Sequence, residues 1–413
     1  MYTNFVSLFL KGVKKMKATG IVVEYNPFHN GHMYHAKKAR EKTNADVIIA
    51  VMSGSFLQRG LPALVSKWER TEMALSHGVD LVFELPYAYA CQKADIFAQG
   101  AVSMLASLFV DSLCFGSEVG EIEPFIQAAN ILLNEEEQRK KTIETYLKKG
   151  LNYPTAFAKS LSSYSLSLDI TKPNNILGLQ YVKSIISNHY NIQPVTIQRT
   201  TPYHETKIKE KVTSATSIKN HLLHGHPVSS IAHTMPQKTV ELLQKHEEKM
   251  EFISWEHLFP FLKYRIRTSS KQELAQIHEA EEGLEHRIYS MIHQFSTFES
   301  FMNAFKTKRY TQNRLQRFCT HILTHTTKEE LHSLPSETPY LRLLGMNLTG
   351  RQYLNQIKKE VAVPIITKRT AHHDSLLDIE DRAHFTYSMG FPKRYQPSIY
   401  EMEFKRAPVI ILT

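Results

Sequence analysis

Five short runs rich in β-branched residues, each followed by a helical pattern, are the feature that most constrains the fold of this chain. The runs are GIVVE, DVIIAVM, DLVFELP, VDSLCFG and PVTIQR, at residues 20–24, 46–52, 80–86, 110–116 and 194–199. Strands that alternate with helices are typical of a parallel sheet wrapped by helices. The first half is therefore predicted to be a Rossmann-like, doubly wound α/β domain with a parallel five-stranded sheet. Its helices are expected to start near His32, Trp68, Ala94, Glu121, Tyr153 and Asn174.

After about residue 230 the β-branched runs fade and longer polar and apolar periodic stretches follow. Leu284, Ile288, Met291 and Ile292, for example, form one apolar stripe at helical spacing. A mostly α-helical C-terminal domain is predicted, which places the two domains at residues 16–235 and 236–413. Residues 1–15 are interpreted as an N-terminal extension, with disorder as one reading of them and Met16 as an alternative start.

Composition agrees with a globular protein of two domains, since 42% of the 413 residues are hydrophobic and 22% are charged. Lys and Arg exceed Asp and Glu by 50 to 40. This surplus favours a polyanionic partner such as nucleic acid without proving one.

Cysteine usage and hydropathy bear on the compartment. Cys91, Cys114 and Cys319 are far apart and form no CxxC pair, which favours a reduced, cytoplasmic chain. The apolar run at residues 6–10 is too short for a signal peptide, and no stretch approaches the length of a membrane span. No membrane partner is expected.

The richest chemistry follows the first strand, in the segment VVEYNPFHNGHMYH at residues 22–35. The Asn-Pro pair breaks the strand before the helix that His32 opens. A helix N-terminus attracts phosphate, Gly31 allows a ligand close to the backbone, and imidazoles can donate hydrogen bonds to phosphoryl oxygens. His29 and His32 are therefore predicted to stabilise a phosphoryl transition state. Two alternatives stay open: zinc ligation by His29, His32 and His35, and a role as ordinary surface or helix-capping histidines.

This segment resembles the HxGH motif of the HIGH-motif nucleotidyltransferase superfamily. The segment SATSIKN, residues 214–220, resembles the second superfamily motif, with Ser214, Thr216 and Ser217 offering hydroxyls and Lys219 a charge. Lys219 stands where Arg is common, so bidentate contact with phosphate is lost. As a plain structural reading, Ser214 would be a helix N-cap.

A fuller set of segments narrows the resemblance: GIVVEYNPFHNGH, SGSFLQRGLPALVSKWER, GVDLVFELPYAYA, FAQGAV, FGSE and KPNNILGLQY. Together, and in this order, they are similar to the bacterial tRNA(Met) cytidine acetate ligases. The resemblance implies that acetate attacks ATP to give acetyl-adenylate and pyrophosphate. The acetyl group then passes to N4 of the wobble cytidine, C34, of elongator tRNA(Met). ATP is expected with Mg²⁺, which ATP normally carries.

The resemblance also implies where ATP is held. The expected ATP-binding residues are the HxGH segment, a glycine after the fourth strand, two asparagines, an arginine after the fifth strand and the second motif: Val22, Val23, Glu24, Tyr25, Asn26, Pro27, Phe28, His29, Asn30, Gly31, His32, Met33, Tyr34, His35, Gly116, Asn174, Asn175, Arg199, Ser214, Thr216 and Lys219. The asparagines could instead be helix caps. Gln58–Gly60, with Lys67 and Arg70, could also cover phosphates or acetate.

An RNA-binding surface is predicted in the second domain. Residues 301–328 contain six cations and no acidic residue, with Phe305, Tyr310 and Phe318 interleaved. A polyanion would contact such a surface by phosphate pairing and stacking. The candidate RNA-binding residues are Lys306, Lys308, Arg309, Arg314 and Arg317.

Two other functions remain at this point. One is a small-molecule adenylyl- or cytidylyltransferase of the same fold, which would not need a helical domain of this size or the basic run. The other is a non-catalytic RNA-binding factor, against which the intact His29, Gly31 and His32 argue.

Overall fold

A mostly parallel sheet of eight strands organises the molecule. The computed structural model describes residues 15–164, 166–199, 213–250, 252–281, 283–332 and 334–412. Residues 1–14, nearly all of the predicted N-terminal extension, lie outside the described residues. The strands are β1 (Ala18–Val23), β2 (Val47–Ser53), β3 (Leu81–Leu85), β4 (Ser112–Ser117), β5 (Gln193–Gln198), β6 (Leu341–Asn347), β7 (Ile365–Ile366) and β8 (Val409–Ile411).

The five predicted strands are all present and parallel, so the fold class is confirmed. In the sheet, β1 lies between β2 and β4, with β3 beyond β2 and β5 beyond β4. The chain therefore runs outward in one direction from β1 to β3 and returns to the other side of β1 for β4 and β5. In open α/β sheets a ligand binds at such a switch point, beside the carboxyl ends of the strands.

The predicted count of five strands is too small, because three strands from the C-terminal region extend the sheet. β6 pairs antiparallel with β3, and β7 and β8 both pair with β6. The segment that forms β6 runs directly into a helix and lies in the region interpreted as helical, so its strand character was missed. The division at residue 235 stays a prediction.

Helices cover both faces of the sheet and fill most of the C-terminal region, as predicted. In the first half they are α1 (Asn30–Thr43), α2 (Lys67–Leu75), α3 (Tyr87–Ala90), α4 (Ala94–Ser107), α5 (Glu123–Asn134), α6 (Glu136–Lys148), α7 (Tyr153–Leu161), α8 (Pro173–Ser187) and α9 (Ala215–Leu223). The later helices are α10 (Gln237–Glu247), α11 (Trp255–Thr268), α12 (Lys271–Gln276), α13 (Leu284–Met291), α14 (Phe298–Phe305), α15 (Gln312–Thr324), α16 (Lys328–His332), α17 (Leu348–Ile357), α18 (Ser375–Ser388) and α19 (Gln396–Lys405). Within the described ranges, no helix is both long and apolar enough to cross a membrane.

The loop after β2 packs directly against the C-terminal helices. Gly60 has a φ of +71°, and a Cβ there would lie 2.7 Å from the backbone N and Cα of Arg317 in α15. The carbonyl of Gly60 accepts hydrogen bonds from Trp255 Nε1 and Thr320 Oγ1, both at 2.9 Å. Glycine is therefore required for this close approach of the loop to α15.

Candidate active site

The segment after β1 turns sharply away from the sheet before α1 begins. Tyr25 adopts a left-handed conformation, with a φ of +52°. The side chain of Asn26 is buried, and its Oδ1 accepts a hydrogen bond of 2.6 Å from the backbone N–H of Leu64. Arg70 donates to the carbonyls of Glu24 and Ser53 at 2.8 and 2.9 Å, which ties the ends of β1 and β2 together.

His29 and His32 cap the start of α1 reciprocally. His29 is the N-cap residue, and its Nδ1 accepts from the N–H of Gly31 at 3.0 Å. The Nδ1 of His32 accepts from the N–H of His29 at 3.3 Å. Both imidazoles are thus used as acceptors at Nδ1, so their ring protons lie on Nε2. The capping alternative is correct for the local geometry, yet it leaves each Nε2–H as a donor.

The histidines of the motif are neutral at physiological pH. Burial, followed by the positive charge of Arg199, lowers the pKa of His29 to about 3 and that of His35 to about 4. Burial also lowers the pKa of His32 well below its ordinary value, with further contributions from His29 and Arg199. The three side chains are therefore neutral imidazoles rather than cations.

These groups open onto a cavity of about 1840 Å³. Ten of the fourteen residues of the segment line it: Val22, Val23, Glu24, Tyr25, Asn26, His29, Gly31, His32, Tyr34 and His35. The remaining four, Pro27, Phe28, Asn30 and Met33, do not line it, because the turn and the helix direct them elsewhere. Phe28 instead packs edge-on against Tyr25, with the ring centroids 4.7 Å apart.

Gly116 and Arg199 lie together on the neighbouring strands and both line the cavity. β4 and β5 pair Gly116 with Ile197, and Arg199 follows directly after β5. A Cβ on Gly116 would meet Arg199 Cγ at 3.4 Å. Gly116 therefore lies beside the arginine side chain at ordinary van der Waals distance, and its contact with the nucleotide stays a prediction.

The two predicted asparagines have different positions. Asn174 lines the cavity, and its amide donates to Glu118 Oε1 at 2.7 Å. Asn175 is fully buried and does not line the cavity, because its side chain bonds the N–H of Glu118 and the carbonyl of Asp169. The Glu118 carboxylate also accepts the N–H of Asn175 at 2.9 Å, so it already occupies the anion-attracting start of α8.

The second motif forms the start of α9, as predicted. Ser214 is the N-cap, and its Oγ accepts from the N–H of Ser217 at 3.1 Å. Ser214, Thr216 and Lys219 line the cavity. Burial lowers the pKa of Lys219, while the nearby Glu24 carboxylate opposes this change. Both the N-cap reading and the placement beside the HxGH segment therefore hold.

The loop after β2 contributes differently from what its sequence suggested. Gln58 lines the cavity, and its N–H donates to Glu24 Oε1 at 2.9 Å. Lys67 and Arg70 are fully buried and cannot cover a ligand. Lys67 instead pairs with Glu84 at 2.6 Å and with Glu403 of α19 at 2.5 Å. The suggestion that these two cations contact phosphate or acetate is wrong, because both serve the interior.

The predicted RNA-binding residues divide into an exposed and a buried group. Lys306, Lys308 and Arg309 are exposed, and Arg309 lines the cavity. Arg314 is half-buried and pairs with Glu281, and Arg317 is buried and pairs with Glu279 at 2.7 Å. The expected stacking surface is wrong for Phe305 and Phe318, which belong to the core, whereas Tyr310 is largely buried but lines the cavity.

A polar cluster that the sequence did not indicate also lines the cavity, and Gln58 connects it to Glu24 by donating from its backbone N–H to Glu24 and from Nε2 to the carbonyl of Gln92. The cluster consists of Gln92, His278, Glu279, Arg317 and His321, all lining the cavity except His321. Burial raises the pKa of Glu279, which Arg317 opposes, and lowers that of His278 to about 4. In sequence these residues come from three separate segments, so no local spacing could reveal the cluster.

Within the described residues, this is the one group that could hold a metal, so the zinc alternative for His29, His32 and His35 gains no support.

The fold and the site together define a nucleotidyltransferase of the HIGH class. A family model described as HIGH Nucleotidyl Transferase matches residues 16–401. The match covers seven of the eight strands of the sheet, the HxGH segment, the second motif and most of the C-terminal region.

Relatives and solved structures narrow this class. The tRNA(Met) cytidine acetate ligase of Halalkalibacterium halodurans is 47% identical over 406 residues, which cover 96% of this chain and 98% of that protein. The Bacillus subtilis protein of the same name is 44% identical over 406 residues, which cover 95% of this chain and 97% of that protein. Two crystal structures of Thermotoga maritima TmcAL are similar to this chain, and each match covers 96% of this chain and 100% of the TmcAL chain. The apo form has a TM-score of 0.89 at 32% identity, and the form bound with α-thio ATP a TM-score of 0.86 at 33%. The chain belongs to the tRNA(Met) cytidine acetate ligase family.

Proposed function

We propose that this enzyme activates acetate with ATP and transfers the acetyl group to N4 of the wobble cytidine of elongator tRNA(Met). An acetate oxygen attacks the α-phosphorus, and the bond to the β-phosphate oxygen breaks, which releases pyrophosphate. The N4 amine then attacks the carbonyl of acetyl-adenylate, loses a proton, and AMP leaves. Adenylation is needed because free acetate is a poor acyl donor.

The reciprocal capping of His29 and His32 is the observation that carries this proposal. It fixes both ring protons on Nε2, and both residues line the cavity at the positive end of α1. Two neutral, oriented donors match the charge that develops on the phosphoryl oxygens during attack. A single donor of this kind contributes about 10²–10³ in rate.

Three further groups are proposed to hold ATP. Arg199 supports the phosphates from the end of β5, and Lys219, with Ser214 and Thr216, from the start of α9. Asn174 is assigned a contact with the nucleotide, and Asn175 a supporting role through Glu118. ATP is expected to enter with Mg²⁺, and the Glu24 carboxylate, which lines the cavity, has the oxygen donors that this ion prefers.

The RNA partner is proposed to contact residues 306–309 at the mouth of the same cavity. Lys306, Lys308 and Arg309 are exposed cations, and Arg309 lines the cavity that holds the HxGH segment. We propose residues 16–235 as the catalytic domain and residues 236–413 as the tRNA-binding domain. Because residues of both domains line this cavity, the anticodon of bound tRNA would lie close to acetyl-adenylate.

The test is incubation of the protein with labelled acetate, ATP and total bacterial tRNA, followed by nuclease digestion. The expected product is labelled N4-acetylcytidine at the wobble position of elongator tRNA(Met). Acetate-dependent AMP formation without acetylated RNA would instead identify a small-molecule acceptor. If neither acetylated RNA nor acetate-dependent AMP is formed, an enzymatic role is contradicted.

A further inference from the structure

The polar cluster of Gln92, His278, Glu279, Arg317 and His321 contains more than side chains that satisfy one another's hydrogen bonds. One potential ligand atom from each of His278, Glu279 and His321 lies within 4.8 Å of the other two. The rings of His278 and His321 meet edge-on, with centroids 5.0 Å apart. His278 and Glu279 precede α13, whereas His321 lies in the middle of α15, so the cluster connects two separate elements.

Three buried polar atoms of these side chains have no hydrogen-bond partner in the described structure. They are Glu279 Oε2, His321 Nε2 and Gln92 Nε2. The side chain of Glu279 is 9% exposed, and His321 and Gln92 are almost fully buried. Native proteins rarely leave such atoms unpaired, and a bound ion is one of the recognised reasons. Glu279 also has a φ of +65°, a strained conformation for a residue with a side chain.

Each of the three side chains, His278, Glu279 and His321, also has one polar atom that contacts a neighbouring polar side chain. His278 Nε2 lies 3.2 Å from Gln92 Oε1, and His321 Nδ1 lies 2.9 Å from the hydroxyl of Tyr87. Arg317 binds Glu279 Oε1 at 2.7 Å. Metal-binding histidines and carboxylates are held in this way, with one edge on an outer partner and the other facing the ion. The arrangement leaves Nδ1 of His278, Nε2 of His321 and Oε2 of Glu279 as ligand atoms.

We propose that His278, Glu279 and His321 bind one divalent transition-metal ion, with Zn²⁺ as the expected ion. Two imidazoles and one carboxylate form a known zinc donor set with room for a further ligand. Ligand atoms of a tetrahedral zinc site lie about 3.4 Å apart, so the side chains move together by a small rotation on binding. His278 is half-buried at the cavity wall and has room for this rotation.

The charge of Arg317 sets a limit on this site. Its guanidinium neutralises the one carboxylate, so the ion is held mainly by nitrogen and by the second carboxylate oxygen. The affinity is therefore expected to be lower than that of zinc sites whose carboxylate lacks a cationic partner. Since His278 and Glu279 line the cavity, the remaining coordination position is assigned to the cavity side.

The test measures metal binding alone, without ATP or tRNA, so it does not depend on the proposed function. Protein without a polyhistidine tag is stripped with a chelator and titrated with Co²⁺ and then Zn²⁺. The expected result is one equivalent of Co²⁺ with visible absorption bands, displaced by Zn²⁺, and a Zn²⁺-induced rise in the melting temperature. His278→Gln is expected to weaken binding by at least about tenfold. His332→Gln, which changes another histidine of the same cavity, is the matched control.

A second ligand variant protects the test against loss of fold. Glu279→Gln is measured beside His278→Gln, with the melting temperature in metal-free buffer as the check on folding. Loss of the Zn²⁺-induced shift in both variants, and its retention in His332→Gln, supports the site. Absence of stoichiometric binding to the wild-type protein, or equal affinity in wild type and His278→Gln, would overturn it. Equal affinity would identify an adventitious surface ion, for example at the neighbouring histidines His221 and His226.

Discussion

The rings of His29 and His32 stack with their centroids 3.8 Å apart, and each holds the backbone at the start of α1 through its Nδ1 atom. A single pair of side chains therefore both shapes the helix start and presents donors to the cavity. The two roles can be separated by choosing substitutions that keep the capping acceptor and remove the imidazole.

His32→Gln is expected to separate catalysis from folding. Gln at the third helical position can still accept the N-cap N–H, so stability should stay close to that of wild type. The loss of the Nε2–H donor should lower the rate of acetate-dependent AMP formation by about 10²–10³. His32→Ala should lose the same rate and also about 0.5–2 kcal/mol of stability. Affinity for tRNA, measured by filter binding, should be nearly unchanged in both, and loss of tRNA binding with adenylation retained would contradict the assignment.

His29→Asn should flatten the dependence of stability on pH. Because the pKa of His29 is lowered to about 3 in the folded protein, its contribution is fully present above the unfolded value of about 6.5 and is lost as pH falls below that value. The loss amounts to about 2 kcal/mol by pH 5. Asn retains a capping acceptor but does not titrate. The measurement is the difference in melting temperature between wild type and His29→Asn from pH 7.5 to pH 5. This difference should shrink or reverse on acidification. A constant difference would show that His29 is not buried and neutral.

Arg199→Ala should weaken ATP binding by about 1.5–3 kcal/mol, the value of a hydrogen bond to a charged group. Arg199→Lys keeps the charge but loses the planar fork, so it should give an intermediate affinity. Calorimetry with a non-hydrolysable ATP analogue measures both. Equal affinities in all three proteins would remove Arg199 from the phosphate site.

Parts of this molecule were readable from the sequence because the relevant signal was local. The strand that ends at Val23, the Asn-Pro break and the helix start occur within one short segment, so the site at the end of β1 could be predicted. Lys67 and Arg70 were misread because a charged residue after a loop is usually exposed, and Glu403, which helps to bury Lys67, comes from the last helix. The same limit applies to the cluster of His278, Glu279 and His321, which exists only through the packing of separate segments.

Lys67→Met should destabilise the fold strongly. Lys67 lies between Glu84 and Glu403. Although burial would raise the pKa of Glu403, the charge of Lys67 and of the other cations around Glu403 lowers this pKa to about 2. Removing the amine leaves the buried Glu84 carboxylate without its counterion and Glu403 with Arg342 alone, at a cost of about 3–5 kcal/mol in the free energy of unfolding. Lys405→Met removes an exposed lysine whose partner is Glu401 and should cost less than about 1 kcal/mol. Urea unfolding compares the two, and similar midpoints would show that the buried pairs contribute little.

Lys306 and Lys308 should respond to alanine substitution differently from Arg317, because the two lysines are exposed and the arginine is buried. The double variant Lys306→Ala with Lys308→Ala should bind tRNA more weakly, with the slope of log affinity against log salt reduced by about one per lost phosphate contact. Lys37→Ala with Lys405→Ala removes two exposed lysines elsewhere and should leave the slope unchanged. Arg317→Ala should instead lower the melting temperature, because it leaves the Glu279 carboxylate without its counterion. If the 306/308 variant keeps the full salt slope, the tRNA phosphates contact another surface, and the assignment of this segment is wrong.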